Sequence, residues 1–159
     1  MVDPEQVRLA LREWASGVTI VTSRSGDTVH GMTVSAFASV SLVPPLVLVC
    51  ADRASNTHGV IAEGRVFAVH VLAAGQEALS DLFADKAREE RRFEGLAWRS
   101  GATGAPILPG AVAVLDCRMA AAHDAGDHVI YVGRVEAVER AGGEPLLYHR
   151  GAYRGLARG

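Results

Sequence analysis

The stretch VTIVTSRSGDTVHGMTVSAF, running from Val18 to Phe37, decides the fold. β-Branched residues fill both arms, apolar and polar positions alternate, and the dipeptide Gly26-Asp27 supplies turn chemistry between them. This pattern predicts a β-hairpin. The hairpin leaves through GMTVSAF, Gly31 to Phe37, where Thr33, Ser35 and Ala36 form a small, polar patch. Small side chains keep the backbone approachable, so this exit reads in two ways: an edge strand with a bulge, or a surface that meets the rim of a flat heterocycle.

Outward from the hairpin, Asp3 and Pro4 predict a helix start, with Val7, Ala10, Leu11 and Trp14 on one face and Gly17 as a stop. FASVSL predicts a further strand, Pro44-Pro45 a break, and LVLVCA a buried strand. SNTHGVIAEG predicts a short helix opening at Ser55, Asn56 and Thr57 and ending at Gly64, and RVFAVHVL another strand. Gln76 to Arg92 is helical in composition and closes in ADKAREERR, read as a solvated face. AVAVLDCRMAA, HVIYVGRVEAVE and PLLYHR complete the strands, separated by HDAGD and AGGE turns. About seven strands with short helices and no regular β-α-β alternation predict a mainly β, antiparallel barrel, in a single domain over residues 1–159.

Composition narrows the function classes. Sixteen basic against eighteen acidic residues give a net charge of −2, without the basic excess that nucleic-acid binding needs. No apolar run is long enough to span a bilayer, and the start MVDPEQVRLALREW lacks the pattern of a signal peptide, so a cytoplasmic protein without membrane or nucleic-acid partners is expected. Cys50 and Cys117 stand alone, outside any zinc or disulfide spacing, and are expected to be reduced and partly buried. Neither G-x-x-x-x-G-K nor G-x-G-x-x-G occurs, and SGATGAP reads as a loop, so any nucleotide is held in another way.

Three clusters remain. Ser55-Asn56-Thr57 reads either as plain helix capping or as an anion site on free helix amides. GMTVSAF is the candidate ring site. Gly126-Asp127-His128 places an imidazole at a strand mouth, where it can meet a second ring. The HDAGDH stretch lacks helical register and nearby Cys, so no metal site is expected. His30, His58, His70 and His149 read as surface or satisfied strand residues.

In this order the clusters, together with VTIVTS, SLVPPLVLVCAD, FAVHVL and a closing RGAY, resemble the flavin reductase family of the FMN-binding split-barrel fold, over about Leu11 to Tyr153. The resemblance implies an antiparallel split β-barrel of Greek-key type with short peripheral helices. It also implies an NAD(P)H-dependent flavin reductase of a two-component system, which reduces FMN or FAD at the expense of NADH or NADPH and supplies a flavin-dependent monooxygenase, in many members as a homodimer. Thr33, Val34, Ser35 and Ala36 would then hold the isoalloxazine, and Tyr153 would lie near it. The CADRASNT segment, with Cys50, Ala51, Asp52, Ser55, Asn56 and Thr57, would reach the flavin phosphate, with Lys86 and Arg92 as basic neighbours. Gly126, Asp127 and His128 would receive the nicotinamide. His70 stands where relatives commonly carry Asn, leaving the backbone of Val71 and Leu72 to serve there. A non-catalytic FMN-binding carrier or sensor is the alternative, and a pyridoxine-phosphate oxidase-like or haem-handling relative of the group would want more basic residues.

Overall fold

The computed structural model describes residues 1–159, with helices α1 (Pro4–Leu11), α2 (Asn56–Gly64) and α3 (Glu77–Ala84) and a 3-10 helix at Lys86–Arg91. The strands are β1 (Ser16–Gly17), β2 (Thr19–Ser25), β3 (Thr28–Val34), β4 (Phe37–Leu42), β5 (Pro45–Asp52) and β6 (Val66–Val71). They continue as β7 (Arg99–Ser100), β8 (Pro106–Ile107), β9 (Ala113–Ala125), β10 (His128–Arg140), β11 (Leu147–His149) and β12 (Ala152–Arg154).

The opening hairpin forms as expected: β2 pairs with β3 from Thr19↔Val34 to Ser25↔Thr28. Gly26 adopts φ 58 at the turn, a left-handed conformation that costs glycine nothing. Seven antiparallel strands follow the order β3-β2-β6-β9-β10-β5-β4. β6, β9 and β10 form a meander, and β5, which precedes them in the chain, lies beside β10; this is a Greek-key arrangement. The two edge strands, β3 and β4, are joined by only Ser35 and Ala36, yet no ladder connects them. The sheet therefore curls until its edges meet at one corner and stays split along the seam.

One face of the curled sheet forms the interior. Val21, Val34, Val47, Val49, Phe67, Val69, Cys117, Met119, Val129 and Tyr131 meet there, with Ile61 of α2 completing the cluster. On the outer face, Phe83 of α3 packs against Val18, Ile20, Leu72, Leu108 and Leu146. Gly31 admits this packing, because a Cβ there would lie 2.8 Å from the Phe83 ring. The SGATGAP stretch is a loop, held where Thr103 donates from its amide and hydroxyl to the buried carboxylate of Asp116.

Several elements depart from the sequence reading. Asp3 caps α1 and Pro4 opens it, but the helix ends at Leu11 and buries none of its residues. Val7, Leu11 and Trp14 instead stay exposed. β5 alternates rather than being buried throughout: Val47, Val49 and Ala51 point inward, whereas Leu46, Leu48 and Cys50 are half-exposed. His123 and Asp124 of the expected turn belong to β9, and the hairpin turns on Gly126 and Asp127 alone. The charge run is a 3-10 helix followed by a buried Arg92 and so is not wholly a solvated face. No helix is long and apolar enough to cross a membrane.

Candidate functional site

Because β3 must hand the chain to β4 across the split, Ser35 and Ala36 leave the ladder. Both are exposed. The Ser35 carbonyl accepts from the Phe37 amide and the Ala36 carbonyl from the Cys50 amide, each at 3.0 Å, while the amides of Ser35 and Ala36 donate to nothing in the protein. Two free N–H groups therefore sit side by side at the corner.

The same corner receives the β9–β10 turn. Gly126 has φ 64, the geometry that glycine supplies at the first position of a two-residue hairpin turn. His128 begins β10 directly opposite Asp52 of β5. Its Nδ1 lies 2.6 Å from Asp127 Oδ1, and this contact holds the Asp127 carboxyl below the usual carboxylate range. Arg53 pins the turn from β5's end: its amide donates to the Asp127 carbonyl, its Nε to the Gly126 carbonyl, both at 3.0 Å, and its guanidinium pairs with Asp124.

Ser35, Ala36, Cys50, Asp127 and His128 together line one open groove of about 960 Å³. Its floor includes Ala38 and Leu48 on the outer face of β4 and β5, beside Phe37, which packs against the interior cluster, and its far wall is α1 with the β11–β12 turn. That wall is fastened by Arg150, which pairs with Glu13, while Arg12 donates to the Arg150 carbonyl at 3.1 Å. Burial raises the Cys50 thiol, so it stays protonated and behaves as a small apolar wall. The groove is at the upper end of the size range of small-molecule sites and its lining is half hydrophobic.

Outside the groove's lining, past Asp52 opposite His128, α2 begins. Ser55 caps it, accepting from the His58 amide at 3.1 Å and donating to the Asp52 carbonyl at 2.8 Å. The amides of Asn56 and Thr57 have no acceptor within the protein, as expected for a first helical turn. Ala51 is buried toward the core, and the Asp52 carboxylate accepts from the Ala54 amide.

Other expected residues lie elsewhere. The Thr57 side chain is buried, with its hydroxyl 2.6 Å from His30 Nδ1. His30 reaches Glu89 at 3.2 Å, and Glu89 in turn accepts from the Asn56 side chain at 3.0 Å. Arg92 is buried and spends its guanidinium on the carbonyls of Gly31, Leu82 and Asp85. The Thr57 hydroxyl and the Arg92 guanidinium are thus both engaged within the protein, whereas Lys86 is exposed and unpaired. Thr33 donates outward to the Ser80 carbonyl at 2.6 Å, and Val34 points into the core. Tyr153 joins Thr33's side of the sheet, its hydroxyl 2.5 Å from Asp81 and 2.9 Å from Ser80. It meets the groove only through Tyr148, whose ring stacks edge-on at 5.4 Å.

Val71 and Leu72 engage their backbone within the sheet. The Leu72 amide donates to Val18, its carbonyl accepts from Leu146, and the Val71 carbonyl accepts from Val112. These groups build the sheet and have nothing left for a ligand. His70 beside them is fully buried, 3.0 Å from the Ile20 carbonyl and 2.9 Å from the Leu108 amide, a satisfied strand histidine. Sequence reasoning missed Arg53 and the whole α1 wall, whose apolar stripe carries the same signal as a core-facing helix.

Residues 11–157 match the family described as flavin reductase like domain. The chain is 44% identical over 151 residues to the FMN reductase (NADH) SmoA of Agrobacterium fabrum, covering 95% of this chain and 85% of that one. It is 36% identical over 158 residues to the reductase subunit HsaB of a flavin-dependent monooxygenase of Mycobacterium tuberculosis, covering 98% and 83%. Among solved structures it superposes with a TM-score of 0.90 on BorF, the flavin reductase component of a bacterial two-component tryptophan halogenase, at 42% identity and covering 98% and 99%.

Proposed function

Because this chain belongs to the flavin reductase family, we propose that it transfers a hydride from NADH or NADPH to FMN or FAD. The reduced flavin then passes to a flavin-dependent monooxygenase. The observation that carries this reading is the convergence of Ser35, Ala36, Cys50, Asp127 and His128 on one half-apolar groove.

The residues present fit a flavin beside a nicotinamide. The free amides of Ser35 and Ala36 offer donors to an electron-rich ring edge, and they are already oriented, so no reorganisation is needed as negative charge develops. Leu48, Cys50 and Ala38 give a flat apolar floor against which a ring can lie. His128, held by Asp127 and by the turn that Arg53 pins, positions the nicotinamide from the opposite lip. The amides of Asn56 and Thr57, with Ser55 beside them, are the donors left for a phosphate, with Lys86 on the 3-10 helix whose Glu89 accepts from Asn56.

The two bound rings supply the hydride donor and acceptor when they occupy the groove, so the chain needs no nucleophile and no acid of its own. Its work is to hold two planar groups in contact and to exclude water from the floor. The open groove and the sparse phosphate contacts favour a flavin that exchanges with solution, as delivery to a partner enzyme requires. Pairing of two copies is part of the same proposal, since Val40, Leu42 and Val43 expose apolar surface at the β4–β5 tip.

The test is NADH oxidation by the purified protein with and without added flavin. The proposal expects turnover only with flavin and a saturable dependence on its concentration. Flavin that stays bound through gel filtration, with no oxidation of NADH or NADPH, would establish the carrier reading.

A further inference from the structure

The groove is larger than a ring site alone accounts for, and its second wall is chemically distinct from the first. Besides the lip at Ser35–Ala36 and His128, it is lined by Arg8, Arg12 and Arg150, with Asp127 as the only carboxylate in the lining. The chain as a whole has more acidic than basic residues, sixteen Lys and Arg against eighteen Asp and Glu, so this clustering runs against the overall balance. Arg8 is paired with Glu5 and Arg150 with Glu13, so Arg12, which has no carboxylate partner, is the charge left to meet an anion, with the two paired guanidiniums beside it as further donors.

On the same wall stands Trp14, 77% exposed, with Tyr148 across the turn. An indole left in water beside arginines costs hydration free energy that stacking against a purine recovers. The wall is also fixed in place: Arg12 lies against Gly151 and donates to the Arg150 carbonyl, and Arg150 is held by Glu13. Arginine and tryptophan on one rigid wall match the two parts of an adenosine diphosphate, a charged diphosphate and a flat base.

We propose that Trp14, Arg8, Arg12 and Arg150 form a subsite for the adenosine diphosphate half of the dinucleotide whose reacting ring lies at the Ser35–His128 lip. The inference rests on the proposed flavin reductase reading for the second half of that ligand, but the subsite itself is read from the wall. Both the nicotinamide donor and FAD carry this group, and the same wall serves either.

The test uses ADP-ribose, which has the diphosphate and the base but no ring able to react. The only other tryptophan, Trp98, packs against Phe93, so Trp98→Phe leaves Trp14 as the sole indole reporter. ADP-ribose is expected to quench Trp14 fluorescence saturably. Arg12→Gln should weaken its affinity roughly tenfold, the scale of a lost charge-assisted hydrogen bond, and Arg12→Lys should lose less. Arg8→Gln, whose guanidinium touches only Glu5, repeats the test without disturbing the Arg150 contact. Rising salt should weaken binding in wild type more than in Arg12→Gln.

Parallel titrations with NADH, FMN and FAD name the occupant. Weakened NADH with FAD still matching FMN assigns the donor, and weakened FAD relative to FMN assigns the flavin's adenylate half; either result keeps the subsite. No Trp14 response to ADP-ribose overturns it, as does a response unchanged in both arginine variants. A Trp14 emission that instead shifts with protein concentration alone gives the wall to a second copy and also overturns it. Failure of the flavin reductase reading is separable: ADP-ribose would still bind at Trp14 while NADH fails to reduce flavin.

Discussion

Replacing His70 with Asn should remove a defined part of the pH dependence of stability. The Leu108 amide donates to His70 Nε2 at 2.9 Å, so the single proton of the neutral ring sits on Nδ1 and is donated to the Ile20 carbonyl at 3.0 Å. A second proton would have to go onto Nε2, against an N–H already pointing at it. Burial is the main cause that brings the pKa of His70 down from 6.5 to about 4, outweighing the Ile20 bond and the more distant carboxylates of Asp116 and Glu139. In the unfolded chain His70 takes up its proton near 6.5 and in the folded chain only near 4, so between these values the unfolded state binds more protons. Stability therefore falls as pH drops through that window and levels off below it. At about 1.4 kcal/mol per pH unit the full loss is about 3 kcal/mol, and about 2 kcal/mol of it falls between pH 7 and pH 5. Urea unfolding of wild type and His70→Asn at both pH values isolates the contribution, because other titrating groups cancel in the difference. Asn does not titrate, so the variant should be less stable at pH 7 and should close most of the gap at pH 5. An equal gap at both values would refute the neutral, doubly bonded His70.

Gly133 faces Phe67 across the interior, and a Cβ there would lie 2.4 Å from the Phe67 ring and 2.8 Å from the Cys117 Cβ. Gly133→Ala should cost about 1–3 kcal/mol by overpacking, read as a lower Tm that Phe67→Leu in the same chain partly restores. Ser55→Ala removes the α2 cap and should cost about 1 kcal/mol, and FMN affinity should fall more than riboflavin affinity; equal losses would leave Ser55 a cap only. His128→Ala and, more weakly, Arg53→Gln should raise the apparent KM for NADH while flavin affinity stays nearly constant, and His128→Asn should keep more activity than His128→Ala. Stopped-flow reduction of flavin checks the last pair: rates and donor affinity equal to wild type would take His128 out of the site.

The parts of the fold fixed by neighbouring residues were legible. Gly26-Asp27 between β-branched arms, Ser55 at a helix mouth and Gly126-Asp127 before an apolar strand each specify their own backbone, and each appears in the structure as read. What depends on partners distant in sequence was not. Val7, Leu11 and Trp14 show the periodicity of a core helix, and nothing local reveals that they face a groove and not a core. Arg92 sits in a run of exposed charges, and its burial depends on three carbonyls brought together by β3, α3 and the 3-10 helix. Thr57 shares a cap motif with Ser55, yet helical geometry turns its hydroxyl inward to His30. Val71 and Leu72 look like any strand exit until the pairing to Val18, Val112 and Leu146 is known. Ser35, Ala36, Cys50 and His128 converge because β5 lies between β4 and β10, an order that no single segment encodes.

The measurement that bears most directly on the groove as the place of hydride transfer is anaerobic reduction of flavin by NADH before and after blocking Cys50. Cys50 is half-buried in the groove floor, whereas Cys117 is fully buried, with burial and the nearby Asp116 pushing its thiol up to about 12, so a bulky thiol reagent should select Cys50. The account predicts that reduction is lost in proportion to Cys50 labelling, that bound flavin slows the labelling, and that Cys50→Ser escapes it while still reducing flavin. Full flavin reduction by protein labelled completely at Cys50 would contradict it.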